Sequence, residues 1–285
     1  MSFSNPGQLK SYLQKNAELM GISINHTYNT YFSRRLLELV AKYSFGQIIV
    51  KGSFSQYVHL QKLCRPITDI DLVSPYNYSI VDDILKHSVK KENGDSEIDF
   101  QFDKEVKKRN TGIYEVGVLC STGTIRHRIG VDIKCNSTTI LETQYKPVRP
   151  LFTKDTEFYI NTPSYEEHLA EKLCIIAESM QQSYFNPRIK DFYDIYQLHG
   201  GQYDYEKLSI YFKKLLALRG KINLFDVNIT GLDAQYILDH QDIWNNTRRK
   251  KEFLDQDVDL NQAVYYTKAV LSEQLQKSKN RMNCY

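Results

Sequence analysis

Two aspartates interrupt a short apolar run in the sequence, although aspartate is a poor strand former. They are Asp69 and Asp71, in the segment "TDIDLV". Residues two apart on a strand point to the same face, so the two carboxylates would share one face, with α-carbons about 6.5 Å apart. Carboxylates this close repel each other unless a cation neutralises them, and such pairs suit Mg²⁺ bound together with substrate phosphates. The alternative is that they cap and solvate an edge strand.

A third aspartate lies in a similar run further along the chain. In "RIGVDIKCN", Asp132 alternates with Val131 and Ile133 and therefore projects from the face opposite these apolar residues. Three aspartates could hold two metal ions, which would activate an attacking hydroxyl group and stabilise a departing pyrophosphate. Taken alone, Asp132 could equally be an exposed strand residue beside Lys134.

The turn after the first predicted strand offers a site for phosphate. In "IIVKGSFS", Gly52, Ser53 and Ser55 lie where an apolar strand passes into an amphipathic helix. Small residues let backbone N–H groups approach a phosphate there, and the helix N-terminus adds partial positive charge. Many strand–helix turns carry Gly-Ser only as a turn and N-cap. Gly52 and Ser53 therefore indicate a nucleotide site mainly because a D-x-D motif follows on the next strand.

Charged residues in the later helices supply a second group of candidates. Lys172 borders the apolar stripe of the predicted helix "EEHLAEKLCIIAESM". It could be a cation that holds triphosphate charge in a cleft, or a lysine with a buried stem and a hydrated head. In "NPRIKDFYDIYQL", Asp191 and Asp194 are i,i+3 neighbours on one helix face. Asp191 could also simply stabilise the helix N-terminus and pair with Arg188 or Lys190.

Composition places the chain among ordinary globular proteins and excludes several classes. Its 285 residues are 41% hydrophobic and 25% charged, with a net charge of +3. No apolar stretch is long enough to span a membrane, and the polar beginning is unlike a signal peptide. Five cysteines without a C-x-x-C pair indicate reduced thiols in a cytoplasm and argue against a zinc site. Hydrolase, metalloprotease and Walker motifs do not occur.

The order of predicted elements indicates an α+β fold. We expect a helical segment over 1–45, a small mixed sheet with helices over 46–150, and a helical domain over 151–285. Short basic clusters at 106–109 and 248–251 are compatible with nucleic-acid binding, although such clusters are more often solvated surface.

Taken in their order along the chain, the glycine–serine turn, the D-x-D motif and the later strand aspartate resemble the motifs of the polymerase-β-like nucleotidyltransferase superfamily. They are most similar to one branch, the AbiEii/AbiGii-type nucleotidyltransferase toxins, which include the MenT toxins. The resemblance rests on "VKGSFSQYVHLQKLCRPITDIDL", "IGVDIKCN" and "HLAEKLCIIAESMQQSYFNPRIKDFYDIYQL", and it spans nearly the whole chain. The "AEK…KDFYDIY" phrase is the most specific part, because generic polymerase-β-like domains lack it. Ser53 stands where this branch usually has a second glycine, and Ile67 where it usually has threonine.

The resemblance implies a role for each matching residue. Asp69, Asp71 and Asp132 would hold Mg²⁺, for which Mn²⁺ could substitute. Asp191 would be a further essential acid, and Asp194 and Arg188 would support the site. The residues expected to contact the nucleotide are Gly52, Ser53, Arg65, Lys172 and Lys190.

The function implied is that of a cytoplasmic toxin of a bacterial type IV toxin–antitoxin or abortive-infection system. It would transfer a nucleoside monophosphate from an NTP to an RNA, the tRNA 3′ end in particular, and so block translation. A cognate antitoxin would be its partner. The alternatives are transfer to a protein side chain or a small molecule, and a non-catalytic nucleotide-binding regulator. A tRNA enzyme should present basic surface leading to the metal site.

Overall fold

The computed structural model describes residues 6–90, 97–103, 105–137, 139–181, 188–220, 227–250 and 253–282. They form two compact units, the first ending at Pro163 and the second beginning at Ser164. The first contains a mixed sheet with helices and the second is helical, so the predicted α+β fold class is confirmed. The three-part division expected from the sequence stays a prediction. In the basic cluster at 248–251, residue 251 lies outside the described residues.

The described residues of the first unit include four helices, and side-chain caps fix where two of them begin. Ser23 accepts a hydrogen bond from the backbone N–H of His26, and Asn77 accepts one from that of Ile80. Such caps satisfy amide groups that have no partner inside the helix. The helices are α1 (Pro6–Met20), α2 (Ile24–Ser44), α3 (Gly52–Leu60) and α4 (Tyr78–Ser88).

The sheet of the first unit has eight strands in the described residues. They are β1 (Ile49–Val50), β2 (Asp69–Val73), β3 (Asp99–Phe102), β4 (Lys107–Lys108), β5 (Ile113–Thr122), β6 (Ile125–Lys134), β7 (Thr143–Val148) and β8 (Phe158–Pro163). Their order is β3-β5-β6-β2-β1-β8-β7, and β4 pairs with β5. The pairs β2–β6 and β1–β8 are parallel and the others antiparallel. The parallel pairing of β2 with β6 brings the two aspartate-bearing strands side by side.

One face of the central strands forms the core. Ile70 and Leu72 of β2 are at most 2% exposed, as are Ile129 and Ile133 of β6. Since side chains alternate along a strand, the residues between them lie on the opposite face. This alternation places the predicted metal-binding aspartates away from the core.

The second unit consists of helices around an aromatic core. Tyr193 stacks on Phe253 with ring centroids 4.2 Å apart, and Trp244 is fully buried beside them. Asp204 and Asp233 cap two of the helices through their side chains. The helices are α5 (Tyr165–Gln181), α6 (Ile189–His199), α7 (Tyr205–Arg219), α8 (Ala234–Arg249) and α9 (Leu260–Met282). Within the described ranges, no helix has both the length and the apolar character needed to span a membrane.

Candidate active site

Asp71 and Asp132 lie directly opposite each other on the neighbouring parallel strands β2 and β6. Paired strands are about 4.8 Å apart, so the two side chains leave the same face of the sheet as neighbours. Asp69, one pleat away on β2, lies opposite Gly130 and is exposed. The structure thus brings the three predicted metal-binding aspartates onto one rigid face.

Glu115 extends this row of carboxylates and Arg109 contacts it, and neither residue was predicted to belong to the site. Glu115 of β5 lies opposite Asp132 and therefore beside it. The guanidinium of Arg109 contacts Glu115 through Nε, and its Nη1 lies 3.3 Å from Oδ2 of Asp132. Arg109 is held on the β4–β5 hairpin, where its backbone N–H donates to the carbonyl oxygen of Ile113 at 2.8 Å. The only sequence signal for Arg109 is its place in the basic cluster at 106–109.

The surroundings of Asp132 disfavour its negative charge. Burial raises the pKa of Asp132, Arg109 opposes that rise, and the negative charges of Asp69 and Glu115 add to it. Carboxylates crowded in this way are stabilised by any cation that binds among them. The site therefore favours the binding of a further cation in addition to the guanidinium of Arg109.

Gly52 positions the strand–helix turn against the same carboxylates. Its φ of +63° is rarely adopted by other residues, and a Cβ atom there would overlap the carboxylate of Asp71. The backbone N–H of Lys51 also donates to the carbonyl oxygen of Asp71 at 2.8 Å. The Lys51 side chain makes no capping hydrogen bond to α3. The N-terminus of α3 thus begins beside Asp71, as a phosphate site next to a metal site requires.

The donor set of this face fits Mg²⁺. Carboxylate oxygens are the ligands that a small hard cation prefers, and here they project from paired strands, which fix their spacing. Among the residues that can be described, no three His, Cys, Asp or Glu side chains already converge as a set of metal ligands. Asp132 instead contacts Arg109. Asp69, Asp71 and Asp132 could hold the ion after small side-chain rotations that release this contact.

The remaining candidates of the first unit differ in their surroundings. Ser53 is buried in the first turn of α3. Ser55 is also buried, and its hydroxyl shares a 2.5 Å hydrogen bond with that of Thr162, which ties α3 to β8. Arg65 is half-buried in the segment between α3 and β2. Ser55 therefore has a structural partner within the protein.

A buried ionic cluster forms the other group of candidates, in the second unit. Nζ of Lys172 on α5 lies 2.7 Å from Oδ1 of Asp191 and 2.8 Å from Oδ2 of Asp194, both on α6. Nε of Arg188 lies 2.6 Å from the other carboxylate oxygen of Asp191. The three side chains of Lys172, Asp191 and Asp194 are 12%, 5% and 0% exposed. Lys190, in contrast, is exposed on α6.

The structure shows an arrangement of Lys172 that differs from both interpretations that the sequence left open. Its ammonium group lies between two carboxylates, and its side chain is 12% exposed. Two cations and two anions balance each other in the cluster, which limits the cost of burying them. The expected pairing of Asp191 with Arg188 is present. The candidate residues thus form two groups, one in each unit.

Comparison with known families decides the identity of the fold. The family model described as the nucleotidyl transferase AbiEii toxin of type IV toxin–antitoxin systems matches residues 34–275. The chain belongs to the AbiEii family. It is accordingly a nucleotidyltransferase of a toxin family, and the predicted enzyme class is confirmed. The match includes all residues of both groups.

Several solved structures are similar to this chain at low sequence identity. JHP933 from Helicobacter pylori is 13% identical with a TM-score of 0.50, over 92% of this chain and 98% of that chain. A second H. pylori protein, provisionally classed as a nucleotidyltransferase, is 13% identical with a TM-score of 0.49, over 88% and 96%. An antigenic nucleotidyltransferase-like protein from Paracoccidioides brasiliensis is 12% identical with a TM-score of 0.37, over 69% and 88%. Of the three, JHP933 alone supports the fold. A search of curated proteins gives no match.

Proposed function

We propose that this AbiEii protein is a Mg²⁺-dependent enzyme that transfers a nucleoside monophosphate from an NTP to the 3′ end of tRNA. Blocked 3′ ends would no longer accept amino acids, and translation would stop. The observation that carries the proposal is the pairing of Asp71 with Asp132 beside the N-terminus of α3. Nucleotidyl transfer needs this combination of carboxylates for a metal ion and backbone amides for phosphate.

Each part of the first unit has a task in this reaction. The first turn of α3, with Gly52 and Ser53, would bind the phosphates of the NTP. Asp69, Asp71 and Asp132 would hold Mg²⁺, which, when bound, polarises the α-phosphate and lowers the pKa of the acceptor hydroxyl. An ionised Asp132 would accept the proton of that hydroxyl.

Lys172, in the second unit, stands at the motif position that the family resemblance associates with triphosphate contact. We assign Lys172 to offset negative charge that develops as pyrophosphate leaves. Asp191 and Asp194 hold its ammonium group in one position, which reduces the reorganisation that charge stabilisation would otherwise need. Lys190 and Arg65 are additional candidates for nucleotide contact.

The charge next to the carboxylates supports a polyanionic acceptor. Lys107 and Lys108 are exposed on β4. The next residue in the chain, Arg109, contacts Asp132. A basic strip of this kind would bind the phosphates of an RNA end and direct it toward the metal site. Transfer to a protein side chain or a small molecule is the alternative and would not need this strip.

Membership of a type IV toxin–antitoxin family supports two further proposals. A cognate antitoxin would oppose the toxin, and the protein would act in the cytoplasm, where its tRNA substrate is found.

The test is a labelling reaction with purified protein, Mg²⁺, total tRNA and each α-labelled NTP in turn. Asp69→Asn should abolish labelling, whereas Asp99→Asn, at an exposed strand position on β3, should not. Label on tRNA from one NTP supports the proposal and names the donor. Label on protein would move the acceptor to a side chain. No label with folded wild-type protein would contradict transfer to either.

A further inference from the structure

Gln56 on α3 is a buried amide that the protein itself does not satisfy. Its side chain is 2% exposed, and neither its nitrogen nor its oxygen has a hydrogen-bond partner among the described residues. The hydroxyl of Ser53, 5% exposed, likewise has no partner in this part of the chain. Buried polar groups without partners are costly and call for a specific explanation.

Helix geometry directs both groups to the same place. Gln56 follows Ser53 by three residues and Gly52 by four, so all three share one face of α3. The start of this face lies beside Asp71, since a Cβ atom at position 52 would overlap that carboxylate. Helical side chains point back toward the N-terminus. From helix geometry we expect the Gln56 amide to lie over the first turn of α3, where Gly52 adjoins Asp71.

The other buried polar groups of α3 are satisfied inside the protein. Ser55 bonds to Thr162, the hydroxyl of Tyr57 donates to the carbonyl oxygen of Arg149 at 2.7 Å, and Nε2 of His59 lies 2.9 Å from the carbonyl oxygen of Pro163. Packing alone would be served by an apolar residue at position 56, as it is at Val58. The buried side chains of α3 that have no partner in the described portion of the chain are thus Ser53 and Gln56, in the first turns of the helix.

We infer that Gln56 binds the donor nucleotide and helps determine which nucleotide is accepted; this rests on the proposed NTP-binding function. A phosphate offers only acceptors, so it could satisfy the amide nitrogen and the Ser53 hydroxyl but not the amide oxygen. The oxygen needs a donor, which a ribose hydroxyl or a base N–H group supplies. Because the amide is shielded from water, a nucleotide that lacks the matching group leaves it unpaired and is rejected.

The test compares Gln56→Leu, which keeps the size but removes both polar atoms, with Gln101→Leu on the exposed surface of β3. Binding of the four NTPs and their 2′-deoxy counterparts is measured by calorimetry with Mg²⁺, and melting temperature is measured without ligand. We expect Gln56→Leu to bind the preferred NTP at least about tenfold more weakly and to lose its preference. Its melting temperature should be unchanged or higher, because an unpaired buried amide is removed. Gln101→Leu should match the wild type.

The pattern of loss identifies the group that Gln56 contacts. Loss of discrimination between NTP and dNTP assigns the ribose, and loss of discrimination among bases assigns the base. Unchanged affinity and preference in Gln56→Leu would overturn the inference while leaving the proposed function intact. A lower melting temperature with preference retained would also overturn it, in favour of a structural role. If the wild type binds no NTP, the inference and the proposed function both fail.

Discussion

Nη1 of Arg109 lies 3.3 Å from Oδ2 of Asp132, so the protein's own guanidinium group contacts a carboxylate of the candidate metal site. The hairpin that carries Arg109 pairs with β5, and Glu115 anchors the guanidinium there. A cation entering the site has to share Asp132 with Arg109 or displace it.

Arg109→Ala should therefore bind Mn²⁺ a few-fold more tightly than the wild type when no nucleotide is present. The reason is that a competing positive charge is removed from Asp132. Titration followed by electron paramagnetic resonance of free Mn²⁺ measures the change. Arg126→Ala is the control, since within the described parts of the chain its guanidinium donates to the backbone carbonyl oxygens of Gly123 and Ile125. Equal or weaker Mn²⁺ binding by Arg109→Ala would refute the competition.

Gly52→Ala should abolish transfer and destabilise the protein by more than the conformational penalty alone. A left-handed conformation costs a residue with a side chain about 1–2 kcal/mol, and here the methyl group would also displace the Asp71 carboxylate. Gly112→Ala is a matched control, because Gly112 has a φ of +78° with no atom within 4 Å of the added Cβ.

Urea unfolding and the labelling reaction separate the two effects. Both variants should lose similar stability from the backbone, and Gly52→Ala alone should lose activity. Full activity in Gly52→Ala would contradict the proximity of this turn to the reacting groups.

Lys172→Met should destabilise the protein by about 3–5 kcal/mol, because it leaves Asp191 and Asp194 buried without their shared cation. The triple variant Lys172→Met, Asp191→Asn, Asp194→Asn should recover part of this stability. Lys190→Met, at an exposed position on the same helix pair, should change stability little. Urea unfolding of the four proteins provides the comparison. An equally small effect at both lysines would show that the cluster contributes no net stability.

Stability should fall as the pH is lowered from 7 to 5, in part because of His59. Burial lowers the pKa of His59 to about 4 from the ordinary 6.5, which the hydrogen bond with Pro163 only partly offsets. A depressed pKa means that the unfolded chain binds the proton first, so stability is present above pH 6.5 and is lost as pH falls toward 4. The loss from this residue between pH 7 and 5 should be about 2 kcal/mol.

Replacing His59 tests its share of that slope. His59→Gln should flatten the dependence of the unfolding midpoint on pH, whereas His87→Gln, at an exposed position on α4, should leave it as steep as in the wild type. Identical slopes in the wild type and His59→Gln would contradict the assignment.

The sequence was most informative where chemistry and local periodicity coincide. The period of two around Asp69, Asp71 and Asp132 was sufficient to predict strands with acids on their polar face. The register that pairs Asp71 with Asp132 could not be predicted, because it depends on the pairing of two strands that are far apart in the chain. The contact of Arg109 with Asp132 depends in turn on the hairpin geometry.

Two other features could not be predicted from the sequence, for physical reasons. Strand β7 was not predicted, because Pro147 and its polar neighbours are untypical of a strand. Pro147 is tolerated there because β7 is the last strand at one edge of the sheet. Asp191 and Asp194 were selected as candidates from the sequence, but their burial around Lys172 depends on the position of α5 and could not be predicted.

The parallel pairing of β2 with β6 also bears on synthesis of the toxin. A ribosome makes β2 long before β6, and the acids of the two strands can meet only after both have left the exit tunnel. An unfinished chain therefore lacks the complete proposed metal site. Under the proposed function, the nascent toxin would spare the tRNA pool on which its own translation depends, until the strand carrying Asp132 has joined the sheet.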